Sequence, residues 1–213
     1  MATGDGVYIS LNDLKAYGLD NDTATTPDDA FLSQAIAWAE QKWNALCGCH
    51  FDEDEEANVQ AFSPFVDGRG WLHLFARERI PVTAVAAVTV RDLTAASLAY
   101  KTLTLTADNI ILPPFTDPPR PDSAHVILLP APALPPLSTG QLQVKWTYTG
   151  GYDTIPDSLI SIIARLAWWH YKLREAPLGR VVTGAGGLGL MEIPLAIPAD
   201  IQADAKLWQP SFS

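Results

Sequence analysis

Two stretches of this chain open with the same helix-start signature, and they lie far apart. They are Thr26-Pro27-Asp28-Asp29 and Thr154-Ile155-Pro156-Asp157. In each, a threonine is available as a cap. A proline sits where a helix has no use for its missing N–H, and acids face the positive helix end. The first predicts a helix running to about Leu46 and closed by Gly48. Leu32, Ala35, Ile36, Ala39, Trp43 and Leu46 recur along it with helical spacing, so one face is apolar. The second predicts a helix to about Glu175, with Lys172 and Arg174 near its negative end and Pro177 after it. Leu159, Ile160, Ile162, Ile163, Leu166, Trp168 and Trp169 leave that helix no wide polar face. It is therefore expected to be buried on most sides, in a core or between subunits. A shorter helix is expected over Ser10–Tyr17, with Ser10 and Asp13 as a capping box and Gly18 as its stop.

The residues between the two long helices read as strands. Val59–Phe65, Trp71–Phe75, Val85–Arg91, Lys101–Leu105, Asn109–Leu112, His125–Leu129 and Gln141–Tyr148 are short β-branched and aromatic runs. Asp67-Gly68-Arg69-Gly70 supplies a turn between the first two. Nine of the seventeen prolines lie between Pro113 and Pro136, so that stretch reads as a long loop around one edge strand. The expected fold class is α+β: a bundle of three main helices, an inserted small antiparallel β-rich module and an extended C-terminal tail. The expected divisions are 1–50 for the N-terminal helices, 51–150 for the insertion, 151–176 for the third helix and 177–213 for a Gly/Pro-rich tail. That tail holds a short helix at about Ala199–Leu207.

Charge narrows the function. The chain has 14 Lys and Arg against 24 Asp and Glu, a net charge of −10. Residues 1–56 hold twelve acids against Lys15 and Lys42, and the remainder is balanced. A groove that grips nucleic acid by neutralising phosphates does not fit this balance. The two cysteines, one residue apart, make no disulfide framework and favour a reducing compartment over secretion. The N-terminus does not read as a signal peptide. No apolar run reaches the ~18 residues of a membrane span, so no membrane partner is expected. The most apolar segment, Leu159–Trp169, contains Arg165.

The chemical motifs favour structural readings. Gly184-Ala185-Gly186-Gly187-Leu188-Gly189 matches the letters of a dinucleotide fingerprint. That fingerprint needs a helix to follow, and Pro194 and Pro198 oppose one. Cys47-Gly48-Cys49-His50 lacks a second ligand pair, and His73, His125 and His170 are scattered along the sequence, so the cysteines read as small apolar residues. Asp52-Glu53-Asp54-Glu55-Glu56 lacks the alternation and glycine of a calcium loop and reads as a solvated acidic loop. Arg165 in an apolar helix needs a carboxylate, and Glu40 is the candidate partner for a buried ion pair. No hydrolase, zinc-protease, nucleotide-binding or kinase motif is present, so neither catalysis nor a cofactor is expected.

The order of these parts resembles the head–tail connector, or adaptor, family of tailed bacteriophages. Tyr8-Ile9-Ser10-Leu11-Asn12-Asp13-Leu14-Lys15 resembles its opening helix. Asp28-Asp29-Ala30-Phe31-Leu32, with the Trp43 to Gly48 ending and Phe51, is similar to its second helix and exit. Ile80-Pro81-Val82 through Val90 is similar to its first long strand. Val144-Lys145-Trp146-Thr147-Tyr148-Thr149-Gly150-Gly151-Tyr152 resembles the strand and turn before its third helix, which then starts at Ile155-Pro156-Asp157 and ends Tyr171-Lys172-Leu173-Arg174. The stretch 113–136 is longer than the family pattern, and the end at Lys206-Leu207-Trp208-Gln209-Pro210 matches it only in part.

The resemblance implies a virion protein of the capsid–tail junction, assembled in the bacterial cytoplasm. It implies a ring, of twelve copies, under the portal protein. The ring would pass double-stranded DNA without binding it specifically and would dock a stopper or other neck or tail protein. Asp52, Glu53, Asp54, Glu55 and Glu56 are then candidates to line the channel, because an acidic wall does not hold phosphates. Leu190, Ile193, Leu207, Trp208 and Phe212 are candidates to dock on the portal. Trp43, Ile163, Trp168 and Trp169 are candidates to pack between subunits. Two rival readings make distinct demands. A glycan- or surface-binding β-sandwich on a helical anchor would expose Trp71 or Trp146. A cofactor enzyme would use Gly184–Gly189.

Overall fold

The computed structural model describes residues 6–18, 28–53, 58–62, 65–67, 69–76, 78–93, 99–112, 124–129, 142–175, 180–182, 190–192 and 196–210. The chain forms two compact units. One comprises Met1–Cys47 and Ile155–Leu207, the other Gly48–Thr154 and Trp208–Ser213.

The first unit is helical. It holds α1 (Leu11–Gly18), α2 (Asp29–Cys47), α3 (Asp157–Glu175) and α4 (Ala199–Trp208), whose last residue belongs to the other unit. It also holds a two-stranded antiparallel ribbon of β9 (Arg180–Val182) and β10 (Leu190–Glu192). The expected capping box at α1 is present: the Asp13 N–H donates to Ser10 Oγ at 3.1 Å, and the Ser10 N–H donates to Asp13 Oδ2 at 2.9 Å. The predicted apolar face of α2 buries Leu32, Ala35, Ile36, Ala39 and Trp43. On α3, Leu159, Ile162, Ile163, Ala164, Leu166 and Ala167 are buried.

Among the described residues, two charged side chains lie inside this unit. Lys15 of α1, with its side chain 2% exposed, meets Asp29 of α2 at 2.8 Å. Glu40 of α2 accepts the Tyr8 N–H at 2.7 Å, and the Tyr8 hydroxyl donates to Asn44 Oδ1 at 2.7 Å. Gly6 passes so close to Glu40 and Ile36 that a side chain there would collide with both. Residues 6–9 are thus held against α2 by the Glu40 carboxylate and by the Tyr8 hydroxyl on Asn44.

Among its described residues the second unit carries two four-stranded antiparallel sheets. Its strands are β1 (Asn58–Phe62), β2 (Phe65–Val66), β3 (Leu72–Phe75), β4 (Val82–Asp92), β5 (Lys101–Thr102), β6 (Ile110–Ile111), β7 (His125–Leu128) and β8 (Leu142–Gly150). One sheet has the order β1-β8-β4-β5 and the other β2-β3-β7-β6. In β8, Val144, Trp146, Tyr148 and Gly150 are buried while Lys145 is exposed, the alternation of a half-buried strand. Register shifts in β4 between Val82 and Ala84, and between Val85 and Ala87, mark bulges against β8. The Asp67 turn joins β2 to β3, with Gly70 at φ 80° and the Asp67 carboxylate accepting the Arg69 and Trp71 N–H groups.

The second sheet corrects one expectation. β7 is interior, flanked by β3 and β6, and is not an edge strand. The prolines bracket His125–Leu128 without entering it, so all four residues keep the N–H groups a central strand needs.

Replacing Glu40 with Ala should cost about 1–3 kcal/mol, because it strands the buried Tyr8 N–H. Glu40→Gln, which still accepts, should cost less. Urea denaturation of the two variants measures the difference.

Candidate functional site

The acidic run that the resemblance assigns to the channel starts from a segment held by backbone hydrogen bonds on both sides. Residues 50–53 lie between two other chain segments. The His50 N–H donates to the Glu78 carbonyl at 2.7 Å and the Ile80 N–H returns to the His50 carbonyl at 3.1 Å. On the other side the Tyr152 N–H donates to the Phe51 carbonyl at 2.7 Å, and the Glu53 N–H to the Tyr152 carbonyl at 3.2 Å. Gly151 donates to the Pro81 carbonyl at 2.9 Å, so all three segments form one seam. Gly151 has φ 102°, and a Cβ there would collide with the Asp52 carbonyl. Only glycine fits both the conformation and the space.

Asp52 is part of this seam. Its carboxylate meets Arg79 Nη1 at 2.6 Å, and the same nitrogen donates to the Asp52 carbonyl at 2.8 Å. Arg79 therefore offsets the charge of the first acid in the run. Glu53 is exposed. Asp54, Glu55 and Glu56 lie outside the described residues.

The docking candidates divide. Leu207 is 60% exposed on α4. Trp208 is buried, with its ring edge-on to Phe51 at 5.1 Å and tilted against Tyr152 at 6.4 Å. Trp208 is thus a core residue of the second unit, because an indole ring with two aromatic neighbours gains more from packing than from water. Leu190 lies in β10, and nothing of its side chain is described. Ile193 and Phe212 lie outside the described residues.

The subunit-packing candidates divide in the same way. Trp43 and Ile163 are fully buried in the helical unit, which corrects their assignment to a contact between copies. Trp168 and Trp169 are half-buried. Trp169 meets Trp38 at 5.9 Å, and Trp38 stacks on His170 at 4.0 Å with planes 7° apart. Burial pushes the His170 imidazole below its usual range, which favours the neutral ring on that stack. Lys172 lies over Trp168, and Arg174 lies over Phe31 at 4.0 Å. These form a partly exposed aromatic and cationic band on α2 and α3.

The Arg165–Glu40 pair is corrected. Arg165 donates to Asp200 at 2.9 Å and to Asp204 at 2.7 Å, both on α4. Asp200 and Asp204 are four apart, one helical turn, so a single guanidinium spans both. Glu40 instead serves the backbone of residues 8 and 9. The helical periodicity of α4 was visible in the sequence, but its register against Arg165 was not.

The cysteine segment does not converge as a chelate. The Cys47 thiol points at the Ala205 carbonyl at 3.8 Å. Cys49 is buried, and burial pushes its thiol up to about 12. His50 is exposed. Among the described residues, no group of three or more His, Cys, Asp or Glu is placed to hold a metal ion. Sequence distance did mislead for two histidines: His73 Nδ1 and His125 Nε2 lie 2.8 Å apart across β3 and β7. Of the rival readings, the glycan site loses Trp146, which is buried and stacked on Tyr148 at 4.4 Å. The cofactor reading loses its helix, since strand β10 begins directly after Gly189.

No known family profile matches the sequence, and no curated protein does. The fold is similar to that of solved particle chains. One comes from the neck of an empty gene transfer agent particle computed with C6 symmetry. It is 16% identical, with a TM-score of 0.52, over 100% of this chain and 95% of that one. Another comes from the virion of the native gene transfer agent particle, 16% identical at TM-score 0.51, covering 94% of this chain and 88% of that one.

Two outcomes follow from these contacts. Arg165→Gln should cost less than about 1 kcal/mol, since its pairs are partly exposed. Amide exchange across Ala199–Leu207 should nevertheless rise. Cys49 should resist iodoacetamide at pH 8 in the folded protein, because its thiol stays protonated, and react after denaturation. Peptide mapping of the alkylated protein reads this. Over nearly its whole length, then, the chain has the fold of those gene transfer agent particle chains.

Proposed function

We propose that the protein is a structural, non-enzymatic head–tail adaptor of a tailed bacteriophage, standing in the neck of the virion. It forms a ring under the portal protein, continues the DNA channel and presents a docking surface to the next neck or tail protein. The observation that carries this reading is the full-length likeness of fold to a neck chain at TM-score 0.52. The order of sequence motifs points the same way independently. The uneven charge suits a conduit: Glu53 to Glu56 follow the seam that Asp52 and Arg79 fix, and an acidic wall repels phosphates. Leu207, exposed on α4, is the first candidate contact to the portal, and Leu190, Ile193 and Phe212 remain further candidates in the C-terminal sequence.

The test is particle mass, for the chain mixed with the portal protein encoded beside it. A stable complex of about portal symmetry is expected, and Leu207→Asp should weaken it. No complex at any salt concentration would contradict the reading. Removing residues 178–213 outright is a poor test, because it would also remove α4 from Arg165 and Cys47. For the channel, changing Glu53, Asp54, Glu55 and Glu56 to lysine should slow DNA ejection. Unchanged titre and ejection would place the run outside the lumen. Asp52 is left intact in that variant because it holds Arg79.

A further inference from the structure

Residues 99–112 are unusual for this chain. None of them is buried, yet the stretch contains Tyr100, Leu103, Leu105, Ile110, Ile111 and Leu112. Tyr100 and Leu112 are each 40% exposed and Ile111 45%. Only Lys101 and Asp108 carry charge. The stretch also supplies β5 and β6, an edge strand of each sheet. Soluble proteins blunt sheet edges with charges, prolines or bulges. Ile110 and Ile111 of β6 carry none of these. An exposed apolar stretch along strand edges marks a protein interface.

Three observations select a second copy of this chain as the occupant. The first is charge. Copies with a net charge of −10 repel one another, so they approach best through a neutral surface, and this stretch is neutral. The second is direction. Neighbouring strands in β1-β8-β4-β5 are antiparallel throughout, so β1 and β5 run oppositely. A neighbour rotated about an axis along the strands would set its β1 antiparallel to β5, which is how every other pair in the sheet bonds. The third is asymmetry. β1 and β5 are different surfaces, and a contact between different surfaces repeats from copy to copy until a ring closes.

We propose that residues 99–112 of one copy seat on the β1 edge of the next, so that the β1-β8-β4-β5 sheet continues from subunit to subunit. This rests on the ring reading above and names its interface. In the register of this sheet Thr102 stands level with Ala61 and Lys101 with Phe62, so β5 of one copy faces the second half of the next copy's β1.

The test uses the full-length protein carrying Gln60→Cys in β1 and Thr102→Cys in β5, treated with a short bismaleimide. The native Cys47 and Cys49 are buried and give little background. The double variant should give a ladder of cross-linked oligomers, and each single variant none. Dimers from a single variant would mean a symmetric contact and overturn the proposal, as would the absence of a ladder from the double variant. Adding Ile111→Asp and Leu112→Asp to the double variant should abolish the ladder without changing the thermal melt, since both side chains are exposed. A persisting ladder would overturn the role of this stretch. The ring reading fails separately: a portal-bound complex that shows no ladder keeps the ring and moves its interface elsewhere.

Discussion

The seam formed by residues 50–53, 78–81 and 151–152 is the constraint on which the β unit depends. About a hundred residues leave the helical sequence after α2 and return to it before α3. Closing so long a loop costs chain entropy, though the cost grows slowly with length. The seam offsets it with consecutive backbone hydrogen bonds that hold the entering and leaving strands together. A side chain at position 151 would push the strands apart, and glycine alone accepts the backbone conformation found there. The Asp52–Arg79 contact then fixes the point from which the acidic run departs.

In the helical unit, charges act as ties between elements. Lys15 joins α1 to α2, Glu40 joins residues 8 and 9 to α2, and Arg165 joins α3 to α4. Lys15 and Glu40 are buried, and a buried charge without partners is strongly unfavourable, so each fixes its helix against the group that answers it. Arg165 is 34% exposed, so its two contacts orient α4 more than they stabilise it. The half-exposed band of Trp38, Trp168, Trp169, Lys172 and Arg174 is what this unit leaves to the outside.

Much of the architecture was legible in local sequence. Asp29 and Asp157 in the first turns, the Ser10–Asp13 box and Gly48 mark helix ends, because capping is a matter of neighbours within four residues. Strand positions followed from alternation, and the Asp67 turn from its own side chain. What was not legible depends on register across space. Arg165 faces Asp200 and Asp204 rather than Glu40 because of where α4 lies. β7 became interior because β6, a strand of two residues, covers its second side. His73 and His125 meet because β3 pairs with β7. Trp208 looked like a free anchor near the chain end, yet Phe51 and Tyr152 enclose it. The first residue of the acidic run, Asp52, has a partner that no spacing rule would have supplied.

The proposed neck role rests on a likeness of fold over the whole chain, an acidic N-terminal stretch and a neutral, apolar sheet edge. A neck protein is a stoichiometric part of its particle. The most direct measurement is quantitative mass spectrometry of purified particles produced from the genome that encodes it. A neck component should be found in those particles at a fixed ratio close to that of the portal protein. Its absence from purified, infectious particles would rule out the proposed neck role.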